Sequence, residues 1–256
     1  PWISLETAAV LTILKSAPPQ GSFRPPYAGA DKTITHWESQ INLSVLDSLA
    51  PVGNPPSMSY LRQYTERVWL DHCTHWVNRY LHPKRNMPDY YREFTTLLGQ
   101  VGLSLNMNYA HADKFPLAKN VIQIGIDWQR TVALGANRSP NGPNGHENGR
   151  KFPIILAGKL VNDPSMINIY STYPVQYYGP NNSNNQFNFS EDGQTIYIQQ
   201  TSPGVYNWGY GGYGPSDVGV AEWCNFGPTS CSKTWAQAYR LCCSANGWVG
   251  QTLTMR

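Results

Sequence analysis

The chain has 256 residues, of which 41% are hydrophobic and only 14% charged, and it carries a net charge of +3. That length suits a single domain, residues 1–256, with a substantial core. So weak and scattered a basic excess excludes a protein that tracks nucleic-acid phosphates, and no run approaches the roughly 18 apolar residues of a membrane span.

Aromatic residues make up 12% of the chain, with 9 Trp and 16 Tyr. A surface built from Asn, Gln, Ser, Thr and aromatic rings suits a polysaccharide partner, because sugar hydroxyls pair with amides and sugar C–H faces lie on flat rings. The chain begins Pro1-Trp2-Ile3 without an initiator Met or a signal-peptide pattern, which reads as a processed chain or a fragment. Asn42, Asn137, Asn181 and Asn188 each open an Asn-x-Ser sequon. Together these lean toward a secreted, extracellular glycoprotein.

Residues 1–59 are rich in Pro and loops and include Gly21-Ser22-Phe23-Arg24-Pro25-Pro26-Tyr27-Ala28-Gly29, an extended aromatic and basic loop. Four segments with the amphipathic helix period follow. Residues 60–80 carry Leu61, Tyr64, Val68, Trp69, Cys73, Trp76 and Tyr80. From Pro88 to Asn106 the apolar positions are Tyr91, Phe94, Leu98, Val101 and Leu105. Residues 113–134 carry Leu117, Val121, Ile124, Trp128 and Val132, and residues 145–161 form the fourth segment. Short connections between them predict antiparallel helix hairpins.

Beyond residue 163 Tyr, Asn, Gly and Pro dominate. Gln194–Gln200 alternates like a strand, and Tyr206–Tyr213 is an aromatic loop with Gly hinges. A last helix is expected from about Ser232, with Trp235, Tyr239, Cys242, Asn246, Val249 and Leu253 on one face. The chain stops at Arg256 without a Gly or Pro stop signal, as if the natural protein continued. The fold expected is mainly α: a partial α/α toroid or helical barrel of antiparallel hairpins with long loops and minor β, or else a plain bundle.

The five cysteines are Cys73, Cys224, Cys231, Cys242 and Cys243. Cys224 and Cys231 flank a Gly-Pro turn and are expected to form a disulfide. His72 and His75 stand at i and i+3, but their aromatic surroundings favour packed histidines over metal ligands. No phosphate loop, dinucleotide fingerprint or nucleophile elbow occurs, so no cofactor and no metal are expected.

The sharpest segment is Asn144–Gly158. Asn144 would cap a helix with Glu147 as its capping-box partner. His146 would then sit in the anion-favouring first turn, with Arg150 one turn along the same face. Such a pair can grip a sugar carboxylate or move a proton. His146, Arg150 and Tyr27 are the catalytic candidates. Arg24, Asn144, Tyr206, Trp208, Tyr210 and Tyr213 are the substrate-binding ones, the aromatics by stacking on pyranose rings. Glycoside hydrolysis would instead need two carboxyls flanking the bond. Asp31, Glu38, Asp127, Glu147, Asp217 and Glu222 are available, none in a diagnostic motif.

Gly145-His146, Gly149-Arg150-Lys151-Phe152-Pro153-Ile154 and Ala157-Gly158 resemble a motif of uncharacterised secreted proteins grouped with heparinase-like and other α/α-toroid polysaccharide lyases. Residues 21–32 and the run from Trp235 through Cys242-Cys243 to Gly250 fit the same resemblance, which spans most of the chain. It implies an α/α-toroid fold and a lyase acting on an acidic glycan, in which a base removes the proton α to a uronate carboxylate. No catalytic residue is carried over from it. A toroid glycoside hydrolase and a non-catalytic glycan-binding or structural glycoprotein are the rival readings.

Overall fold

The computed structural model describes residues 6–70, 91–135, 149–172, 195–209, 211–223 and 245–256, together with Phe189 and Lys233. The chain is mainly helical. Its central element is α3 (His111–Ala133), whose whole predicted stripe of Leu117, Val121, Ile124, Trp128 and Val132 is buried. Each such side chain contributes about 1.5–3 kcal/mol on leaving water. α1 (Met58–Thr65) and α4 (Lys151–Val161) both pack against α3. α2 (Tyr91–Leu105) packs chiefly against the last helix, α7 (Ala245–Thr254). Two short helices, α5 (Pro164–Ile167) and α6 (Ile169–Thr172), follow α4. Among the described residues, no helix is long and apolar enough to cross a membrane.

Three expectations from periodicity are corrected. The segment expected as a helix over 60–80 leaves the helix after Thr65, whose hydroxyl bonds back to the Leu61 carbonyl at 3.0 Å, a local competition that loosens helix ends. Trp69 is reached after this turn, and its indole N–H donates to the Tyr64 carbonyl at 2.6 Å. The ring is then buried against Phe94 and Trp128. The fourth helix starts at Lys151 with Arg150 in the cap position, so the expected helix does not include Gly149 and Arg150, and residues 145–148 lie outside the described ones. Gly149, just ahead of the cap, stands at φ +89, and a side chain there would meet Thr95 Cγ2 at 2.9 Å. Thirdly, the predicted face of the last helix does not all point inward. Val249 and Leu253 are 55% and 53% exposed. The packed face is set instead by Gly250, because a methyl on Gly99 of α2 would stand 3.0 Å from the Gly250 Cα.

The predicted strand over 194–200 is split between two partners. β1 (Thr195–Tyr197) pairs antiparallel with β4 (Ala221–Trp223), and β2 (Gln200–Ser202) pairs with β3 (Val205–Tyr206). Ile198 still exchanges bonds with Val220 and Gly219, whereas the Gln199 carbonyl already accepts from Asn207 N–H. The chain changes partner between those two residues. β2 and β3 join through Pro203-Gly204, with Gly204 at φ +72, a turn geometry that favours glycine there.

Polar groups tie the long N-terminal segment to this scaffold. His36 Nε2 and Asp163 Oδ2 are 2.9 Å apart, and Asp163 Oδ1 accepts from Ser165 N–H and hydroxyl at the start of α5. Burial pushes the Asp163 carboxyl up, but the Ser165 and His36 hydrogen bonds outweigh it and hold it below its usual value. A depressed carboxylate adds stability above its unfolded-state range and loses it as pH falls through the folded value. Asp163→Asn keeps an equally good cap. The stability gap between wild type and Asp163→Asn is therefore expected to be largest near neutral pH and to shrink on acidification below the ordinary aspartate range. Thermal melts across pH check this, and a gap independent of pH contradicts it.

Candidate functional site

The Arg24-Pro25-Pro26-Tyr27 loop is stiff by composition, since each proline fixes its own φ. Lys32 stiffens it further by donating from Nζ to the Pro26 and Tyr27 carbonyls at 2.7 and 3.1 Å. Its residues converge on one atom group of α3. The Arg24 guanidinium pairs with Asp127 Oδ2, and the Tyr27 backbone N–H donates to Asp127 Oδ1 at 3.2 Å. Gln123, one turn earlier on α3, donates to the Arg24 carbonyl at 3.0 Å. The Asp127 side chain is 2% exposed and that of Arg24 28%. Burial pushes the Asp127 carboxyl above its usual value, against the opposing pull of Arg24, Tyr27 and Gln123.

Above this pair opens a cleft of about 190 Å³. Its walls are Ser22–Arg24 of the first loop, Thr65 at the end of α1 with Glu66–Val68 after it, and the α3 face of Lys119, Asn120, Gln123, Ile124 and Asp127. Asn120 donates to the Thr65 hydroxyl at 3.2 Å and Lys119 to Glu38 at 2.7 Å, so the walls are cross-braced. The lining is a mixture of three cations, two carboxylates, two amides and hydroxyls. Sites for drug-sized ligands run from roughly 300 to 1,000 Å³, so this cleft accommodates one small polar unit and no extended chain.

The cleft contains Arg24, and Tyr27 joins it through its backbone at Asp127. The other described candidates are not among the residues lining it. Arg150 is 1% exposed, with its guanidinium 4.6 Å from the centre of the Phe94 ring. It is part of the α2–α4 packing and is not in this cleft. The Gly149–Gly158 motif is accounted for by packing in the same way. Gly158 lies against Met166 and Ile167, and Ala157 lies against Gly125 of α3. Tyr206 ends β3, Trp208 follows it, and Tyr213 is half-buried. Asn144, His146, Glu147, Tyr210, the His72/His75 pair and all five cysteines, with the Cys224–Cys231 disulfide, lie outside the described residues.

Of the hydrolase carboxylates, Asp31 closes a turn with Thr33, Glu38 pairs with Lys119, and Asp217 pairs with Lys233. Among the described residues, no three His, Cys, Asp or Glu side chains gather as a metal site. Sequence reasoning passed over Glu66, Arg67, Lys119, Asn120 and Gln123. A signal was present: Lys119, Asn120, Gln123 and Asp127 recur at helical spacing beside the apolar stripe of α3. Comparison with protein-family models, curated proteins and solved structures returned no match.

Proposed function

We propose that this protein handles carbohydrate outside the cell and that the cleft on α3 takes a single acidic sugar residue, a uronate or similar. The observation that carries this reading is the convergence of Arg24, Arg67 and Lys119 with Asn120, Gln123 and Thr65 around a space sized for one small polar unit. Guanidinium and ammonium groups bind a sugar carboxylate by charge-assisted bonds, and amides and hydroxyls match the ring hydroxyls. The extracellular location belongs to the same proposal and rests on the sparse charge and the sequons. So does the finer fold reading of an incomplete α/α toroid, which is supported by the return of α7 to α2 across the length of the chain.

Elimination by a lyase is the second reading. It is favoured by the cationic excess of the lining, Arg24, Arg67 and Lys119 against Glu66 and Asp127, which would offset a uronate carboxylate as its α-proton leaves. Titration calorimetry with glucuronate and glucose, and ultraviolet absorbance of unsaturated uronate products on acidic polysaccharides, test the two readings together. Binding of glucuronate over glucose is the expected result, and rising absorbance would add turnover. Equal or absent binding of both sugars overturns the cleft assignment.

A further inference from the structure

The chain leaves β3 through Asn207, Trp208 and Gly209 at φ +49, +57 and +80, three consecutive residues in the left-handed region. Glycine adopts that region freely and asparagine tolerates it, but a bulky aromatic there is strained. The conformation is held firmly. Asn207 is fully buried, its N–H donates to the Gln199 carbonyl at 2.8 Å, and Trp208 N–H donates to Thr201 Oγ1 at 2.9 Å. Half-burial of the indole does not require this geometry, since Trp208 remains 52% exposed. A glycine would fit the backbone better. Strain of this kind clusters at functional sites, which makes Trp208 a candidate for one.

The charge pattern narrows the ligand. Between Asp192 and Asp217 the chain carries no charged residue. Gln199 and Gln200, at the start of the hairpin that leads to Trp208, are exposed neutral amides. Lys233 bonds through its backbone N–H to the Gly211 carbonyl, and its ammonium is held by Asp217 at 2.9 Å, so these described residues offer an acidic glycan no net positive charge, whereas a neutral sugar finds an exposed flat ring. We propose that Trp208 is a stacking platform for the C–H faces of a neutral pyranose polysaccharide, separate in chemistry from the α3 cleft. This rests on the reading of the protein as carbohydrate-handling and not on the cleft's preference for an acidic residue.

The test is affinity electrophoresis in native gels containing hydroxyethyl cellulose, mixed-linkage β-glucan or galactomannan, at low and high salt. The wild type is expected to be retarded in at least one gel at both salt concentrations. Trp208→Ala and Trp208→Gly are expected to weaken that retention about tenfold, and the double variant Arg67→Gln/Lys119→Gln to keep it. Because glycine relieves the left-handed backbone, Trp208→Gly should melt above Trp208→Ala. An unretarded wild type overturns the proposal, as does wild-type retention in both Trp208 variants. An alanine variant that melts above the glycine variant overturns it as well. Retention lost only in the double variant would overturn the platform and would also count against an acidic preference of the cleft.

Discussion

Trp128→Ala is expected to destabilise the protein by about 3–5 kcal/mol. The ring is fully buried at the meeting of three segments, 5.7 Å from Trp69 and 6.0 Å from Phe94 between ring centres. Its Nε1–H also donates to the Trp69 carbonyl at 3.3 Å. Removing it opens a cavity that two aromatic rings cannot collapse into without leaving their own partners. The loss also reaches the site, because Trp69 anchors the turn after α1 whose residues Glu66, Arg67 and Val68 wall the cleft. Urea unfolding measures this, and a loss below about 1 kcal/mol would contradict the packing described.

Arg24→Ala is expected to cost about 3–5 kcal/mol, because it leaves the buried Asp127 carboxylate without its cation. Asp127→Asn should cost clearly less. The asparagine can still accept from Tyr27 N–H, and Arg24, 28% exposed, can turn toward water. The pH dependence has a definite sign. Burial already raises the Asp127 carboxyl, and Arg24 is the chief group pulling it down. Without Arg24 the folded-state value rises further. A carboxyl raised on folding contributes stability that is full below its unfolded-state value and lost as pH rises through the folded one. The Arg24→Ala protein should therefore recover part of its stability on mild acidification, whereas Arg24→Ala/Asp127→Asn should not. Equal stability of the two single variants, measured by denaturant unfolding at neutral pH, would contradict a buried pair in which the carboxylate is the desolvated member.

The parts of this fold legible in the sequence are those dictated by local periodicity. α3 and α2 follow their apolar stripes closely, because a long amphipathic pattern leaves few alternatives. The failures all have a nonlocal cause. The pattern over 60–80 looks unbroken because Val68 and Trp69 keep helical spacing, yet Trp69 is drawn out of the helix by the aromatic pocket of Phe94 and Trp128. The face of α7 depends on a close approach of Gly250 to Gly99, and nothing in the last helix alone announces it. The Asn144–Gly158 segment stands out in the sequence because it is dense in Gly and polar residues, and its first five residues lie outside the described ones. In the described part of it, Gly149, Arg150 and Gly158 are each explained by a close packing contact with α2, α5 or the turn between α4 and α5. Arg24 was legible as a presented cation on a stiff loop. Its partner Asp127 lies 103 positions away, a pairing that neither spacing nor composition can supply.

The central claim is that the α3 cleft binds an acidic sugar through its cations. Arg67 is exposed and Lys119 is 38% exposed with a surface partner in Glu38, so replacing both by glutamine should change stability little. The decisive measurement is the glucuronate affinity of Arg67→Gln/Lys119→Gln against that of the wild type, by titration calorimetry at low salt. The account predicts equal thermal stability and an affinity at least about tenfold weaker, since each lost charge-assisted bond is worth about 1.5–3 kcal/mol and 1.4 kcal/mol is tenfold. Unchanged glucuronate affinity in the folded double variant would contradict it.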